Sequence, residues 1–228
     1  MIETTATEAE ALPGRRELRK RITRRELLHA GRQLFSERGL HESRMEDVAE
    51  RARIAKGTLY LYFRDKDDLI HAVVASSFEE LRAHADRRKI DGATLRPRAE
   101  RLIESHLRFL ALHADRLRIL HQARGLLLFS STRWNRLRLV FEFHLDWIAA
   151  RLGEVPEGRA LTLARRRAMA RLLFGSISGV LSVQEATGEP MRALLRRPTL
   201  VPGLADLIVG TTQQQAETSK PVPKEGRK

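Results

Sequence analysis

The sequence has no cysteine among its 228 residues, which excludes disulfides, thiolate metal sites, iron–sulfur clusters and a cysteine nucleophile. Aromatic residues are scarce, at 5%, and Leu, Ala, Arg and Glu dominate; that composition favours helices over a β-sandwich. No run approaches the roughly 18 uncharged apolar residues that span a bilayer, and the N-terminus lacks an apolar signal segment, so no membrane partner and a cytoplasmic location are expected. Enzyme signatures are missing too. There is no H-E-x-x-H and no phosphate-binding glycine loop, and Gly175-Ser176-Ile177-Ser178-Gly179 puts isoleucine where a nucleophile elbow needs serine. No catalytic residue, metal site or cofactor is therefore expected.

Positive charge is abundant. Forty-two Lys and Arg against 29 Asp and Glu give a formal net charge of +13, a balance suited to a polyanion, because neutralising phosphates releases counterions. Charge alone leaves DNA, RNA and membrane open. The length suits a small module joined to a larger helical body.

Residues 1–19 read as a disordered basic leader: they are polar or small as far as Pro13-Gly14, then carry Arg15, Arg16 and Arg19. The basic run continues through Lys20, Arg21, Arg24 and Arg25 into a helix over about 20–38, where Leu27, Ala30, Gly31, Leu34 and Phe35 keep helical spacing before Gly39. Such a run is either a solvated face or a flexible arm able to enter a minor groove. Ser43 and Glu46 have capping-box spacing, and a short helix follows with Met45, Val48, Ala49 and Ala52 on one face. Three residues later Lys56–Leu61 reads as a second short helix. Asp65 then suits the N-cap of a longer one carrying Ile70, Val73, Val74, Phe78 and Leu81 on one side.

Two short helices joined by a tight turn let the second lie in a DNA major groove while the first braces it. Residues 39–49 and 52–69, reading GLHESRMEDVA and ARIAKGTLYLYFRDKDDL, resemble the DNA-binding module of the TetR/AcrR family of transcriptional regulators. The resemblance covers about residues 20–70. It implies an all-α protein with a three-helix helix-turn-helix DNA-binding domain (20–66) followed by a helical ligand-binding and dimerisation domain (67–212), with a disordered tail over 213–228. Lys56, Gly57 and Thr58 are the expected DNA contacts at the start of the recognition helix, where free amides favour phosphate and glycine permits close approach. By resemblance Tyr60 and Tyr62 touch phosphates or bases, the alternative being packing at the module boundary, and Lys66 reaches the DNA backbone. Arg44 stands where the family often has a hydroxyl residue and is a further candidate phosphate contact. Ala55 also departs from the family pattern, as does Arg53, at a turn position usually glycine. Arg53 must either adopt a positive φ, at about 1 kcal/mol, or reach a phosphate.

Beyond Asp91-Gly92, helical segments are expected over 96–113, 115–129, 133–152, 159–186 and 200–211, with breaks at Gly153–Gly158, Gly188–Pro190 and Pro198. The apolar positions Leu102, Ile103, Leu110, Leu120, Leu127, Trp134, Leu137 and Phe141 are expected to line a pocket for an apolar or amphipathic small molecule. His106 and His144 lie on the same faces, either as polar handles or as hydrogen-bonded core residues. Segment 159–186 is apolar or small nearly all round, so Leu172, Gly175, Ser176, Gly179 and Val183, with Leu204 and Ile208, are expected either in a homodimer interface or in an intrachain core. The functional expectation is a homodimeric regulator, a repressor released from a palindromic double-stranded operator when an unknown small-molecule ligand binds. The alternative is a basic architectural DNA-binding protein without ligand response.

Overall fold

The computed structural model describes residues 14–87, 94–129 and 134–218, with side chains through 210. Eleven helices and no strand occur among the described residues: α1 Arg15–Arg38, α2 Met45–Arg51, α3 Lys56–Tyr62, α4 Lys66–Arg87, α5 Leu95–Leu112, α6 Ala114–Phe129, α7 Asn135–Leu152, α8 Pro156–Ala160, α9 Leu163–Ala186, α10 Met191–Leu194 and α11 Leu200–Thr218. The chain is all-α, a three-helix N-terminal module followed by a larger helical body. Among the described residues no helix is long and apolar enough to cross a membrane. The expected break at Asp91-Gly92 lies outside the described residues.

Helix α1 starts at Arg15, so residues 15–19, expected in a disordered leader, are helical. Arg and Lys are good helix formers, and Gly14 ahead of them is the N-cap. The module's core is Leu27, Leu34 and Phe35 from α1, Met45, Val48 and Ala49 from α2, and Leu59 from α3, all buried; Ile54 packs against them half-buried. Full burial of one leucine is worth about 2 kcal/mol, which is what holds a seven-residue helix that would not form alone in water.

The expected capping box does not form. Arg44, not Ser43, is the N-cap of α2 and makes no side-chain cap bond. Instead the buried Ser43 hydroxyl turns back and donates to the Gly39 carbonyl at 2.7 Å. The hydroxyl of Ser43, itself buried, is thereby taken up by a carbonyl just past the end of α1 and is not available to the amides of α2. Asp65 does cap α4, its Oδ1 accepting from the Asp68 amide at 2.7 Å.

Arg53 has φ 56°, the one positive φ at a non-glycine residue among those described. A long unbranched side chain pays about 1 kcal/mol there, roughly what glycine would cost in unfolded-chain entropy. Arg53→Gly is therefore expected to leave stability within about 0.5 kcal/mol of wild type. Arg53→Val, β-branched, is expected to lose about 2 kcal/mol, read as a shift in urea midpoint.

Segment 159–186 divides in two. Pro156 opens α8, and Thr162 starts α9 by accepting from the Arg165 amide at 3.3 Å. At the other end α11 runs to Thr218, so part of the expected tail is helical. Helices α5, α7, α9 and α11 pack on one another, α4 contacts α5 and α7, and α1 contacts both α4 and α6.

Candidate DNA-binding interface and helical body

One face of the α2–α3 unit is left to solvent. Arg44, Lys56, Gly57 and Tyr60 are exposed, Thr58 and Tyr62 are half-buried, and Leu59 points the opposite way into the core. Lys56 forms an ion pair with Glu46 of α2 at 2.6 Å, which raises its pKa and lowers that of the glutamate. Lys66 donates to the His41 carbonyl at 2.7 Å, tying the start of α4 to the loop between α1 and α2. Leu61 is not marked by the sequence pattern. It is 84% exposed on the recognition helix, out of phase with the apolar spacing. An apolar side chain there is suited to a thymine methyl.

Two sets of contacts join this module to the body. Gln122 of α6 reaches the end of α1: its Oε1 accepts from the Leu40 amide at 2.7 Å, and its Nε2 donates to the Phe35 carbonyl at 3.3 Å. The second is a charge network. The buried Arg32 of α1 donates to Glu80 of α4 at 2.5 Å, and Arg116 of α6 donates to the same carboxylate at 2.6 and 2.9 Å and to Asp115 at 2.8 and 2.9 Å. Burial alone would raise the Glu80 pKa, but the hydrogen bonds from Arg32 and Arg116 outweigh it and hold the carboxyl below its ordinary value. Sequence periodicity marked none of these polar residues, because each lies off the apolar stripe of its own helix.

In the body, the expected pocket residues belong to one hydrophobic core. Leu102, Ile103, Leu110, Leu120, Trp134 and Leu137 are buried, Leu127 and Phe141 half-buried. His106 and His144 are fully buried. His106 Nδ1 sits 2.7 Å from the Leu102 carbonyl, which can only accept, so this nitrogen carries the proton. Its Nε2, 3.3 Å from His144 Nε2, then accepts from that ring. His144 Nδ1 is left as a buried acceptor without a hydrogen-bond partner, in a ring stacked on Phe78 at 4.4 Å and met edge-on by Phe174 at 5.1 Å. Burial, opposed for His106 by its bond to Leu102, pushes the pKa of His106 down to about 4, and burial together with the neighbouring His106 and Arg82 pushes that of His144 well below its usual range. Clefts at the surface include one of about 540 Å³ between α4 and α7, lined by His71, Arg82, Arg136, Leu139 and Phe143 among others. None of the expected pocket residues lines it.

On α9, Leu172, Gly175, Gly179 and Val183 are exposed and Ser176 half-buried, one continuous stripe at i, i+3, i+7 and i+11. A Cβ at Gly175 or Gly179 would meet nothing within 4 Å. Leu204 of α11 is half-buried. Ile208 is fully buried within the chain, a correction to its expected place at an interface: α11 turns it inward toward α5 and α9, and Leu207, 54% exposed, faces outward instead.

Residues 27–73 match the family model described as bacterial regulatory proteins, tetR family, the stretch that holds α2, α3 and the start of α4. By that match, the N-terminal module is of the tetR family. Two curated tetR-like relatives are the fatty acid metabolism regulator protein of Bacillus subtilis, 26% identical over 92 residues (40% of this chain, 47% of that protein), and the HTH-type transcriptional repressor KstR of Mycolicibacterium smegmatis, 40% identical over 79 residues (35% and 36%). The matches span less than half the length of these relatives. The fold is like that of the solved transcriptional regulator FadR from Bacillus subtilis in complex with stearoyl-CoA, with TM-score 0.65 at 19% identity over 81% of this chain and 97% of that one. These relatives are regulators, not enzymes. In this chain the matched segment contains the solvent-facing side of α3.

Proposed function

We propose that the chain is a homodimeric, ligand-responsive transcriptional regulator, a repressor that leaves a palindromic operator when an apolar or amphipathic small molecule binds its helical body. The observation that carries the reading is the arrangement of the module: α3 presents Lys56, Gly57, Thr58, Tyr60 and Leu61 to solvent while α4 and α6 hold α1 through Glu80 and Gln122. Residues 20–66 are the DNA-binding part and 67–212 the sensing and dimerising part. Arg44, Tyr62 and Lys66 add contacts around α3, mostly to phosphates, which position without specifying sequence. Ligand binding biases the placement of α4 and α6, and so the spacing of paired recognition helices. An amphipathic ligand is supported by the solved FadR relative, which holds stearoyl-CoA.

Fluorescence anisotropy at about 150 mM salt, with duplex from immediately upstream of the chain's own coding sequence and with duplex selected from a random pool, tests the reading. Selective binding is expected, with Tyr60→Ala losing about 1–3 kcal/mol of discrimination. Equal weak binding to all duplexes would favour the architectural alternative. The exposed stripe on α9 supports a two-fold interface made with α11. A Cβ at Gly179 would meet nothing of its own chain within 4 Å, and Gly179→Glu sets like charges near each other across such an axis. Sedimentation is expected to show monomers with undiminished helix content.

A further inference from the structure

We propose that the first three turns of α1, residues 15–25, are a second DNA-contacting element: a rigid cationic rod that lies along the phosphate backbone beside the stretch addressed by α3. Arg15, Arg16, Arg19, Lys20, Arg21, Arg24 and Arg25 are all exposed, with Glu17 as the one acid among them. The ion pair described within the segment, Arg21 to Glu17, is long at 3.5 Å and open to water, so the cations are left to an outside partner. At 100° per residue they point to every side of the helix, unlike a helix that docks by an apolar face.

The segment is held by the same unbroken helix that carries Leu27, Leu34 and Phe35 in the module's core, so it is not a loose arm. Its position follows from Arg24, whose guanidinium lies 5.7 Å from the ring centroid of Phe63, the residue that ends α3. From there the helix extends about 15 Å to Arg15, the length of roughly four to five base pairs. Of the seven cations, Arg15, Arg16, Arg19 and Lys20 fall within about 140° of the helix circumference, and that side, carried rigidly from the end of a DNA-facing helix, matches a line of phosphates; such contacts need no base sequence. The rod's placement rests on the assignment of α3 to DNA; its charge contacts do not.

The test compares wild type, a quadruple variant (Arg15→Ala, Arg16→Ala, Arg19→Ala, Lys20→Ala, alanine preserving the helix) and Tyr60→Ala. Each is titrated by anisotropy from 50 to 300 mM NaCl with a 40-base-pair random-sequence duplex and with a selected duplex, circular dichroism checking helix content. The quadruple variant is expected to bind both duplexes at least tenfold more weakly at about 150 mM salt, its log K against log salt flattening by about 0.9 for each phosphate it no longer neutralises. It should keep its sequence preference and lose hydroxyl-radical protection flanking the half-site. Tyr60→Ala should lose preference and keep the steep salt slope. Coincident slopes and footprints for wild type and the quadruple variant would overturn the rod. So would coincident DNA slopes with loss of binding only to phosphatidylglycerol vesicles, the partner that exposed Leu18 and Ile22 would otherwise invite. A flattened slope with Tyr60→Ala still fully selective would instead sink the assignment of α3 and leave the rod standing.

Discussion

Lowering the pH from 7 to 4 is expected to cost the fold about 3 kcal/mol through His106 alone, with a further loss in the same direction from His144. An unfolded imidazole takes its proton near pH 6.5, whereas His106, buried among apolar side chains, takes it only at about 4. Between those values the unfolded chain binds more protons than the folded one, so stability is complete above about pH 6.5 and falls as acid is added, by up to about 1.4 kcal/mol per pH unit for each ring. It levels once the folded form is itself protonated. Carboxylates such as Glu80, held below their ordinary value by arginine, add their own losses at the acid end, so the comparison must be with a variant. His144→Phe keeps a flat ring against Phe78 and removes one titrating group. Urea midpoints at pH 7, 6, 5 and 4 should converge for the two proteins as pH falls, and parallel curves would refute the assignment.

Gly158→Ala is expected to be the most damaging single-methyl change in the body. Gly158 is buried in the five-residue helix α8, where a Cβ would overlap the carbonyl of Leu152, at the end of α7. That neighbour is backbone, and Leu152 is itself fully buried, so neither side has room to yield. A cost of about 3 kcal/mol follows, seen as a lower urea midpoint with unchanged m-value. Gly153→Ala is the control five residues away: its new Cβ would meet chiefly the guanidinium of Arg166, the far end of a flexible side chain that can swing aside, so most of the stability should remain. Equal losses at both positions would mean that α7 and α8 shift together instead of resisting.

The α2–α3 module was legible because its information is local. A short helix with Met45, Val48 and Ala49 on one face, a three-residue turn and a second helix buried through Leu59 are all written in spacing. The positive φ of Arg53 is one of the two alternatives that the family resemblance left open, because the matching turn position is usually glycine. Ser43 shows where local reading stops: its spacing from Glu46 suits a capping box, yet the Gly39 carbonyl just past α1 takes the same hydroxyl. Ile208 shows the same limit in the body. Hydrophobicity marks a residue for burial, but not whether its own chain or a second copy covers it.

The sequence by itself determined the helical class, the helix-turn-helix and the excess of positive charge, because hydrophobic period, turn residues and net charge act over a few neighbouring positions. Only the tertiary structure decided that Gln122 holds the end of α1 from a helix more than 80 residues away in the chain, that Arg32 and Arg116 share Glu80, that His106 and His144 share one buried hydrogen bond, and that the basic run is a rod ending against Phe63. Those are contacts between side chains distant in sequence, and their partners are selected by packing geometry, which no residue's own neighbours encode.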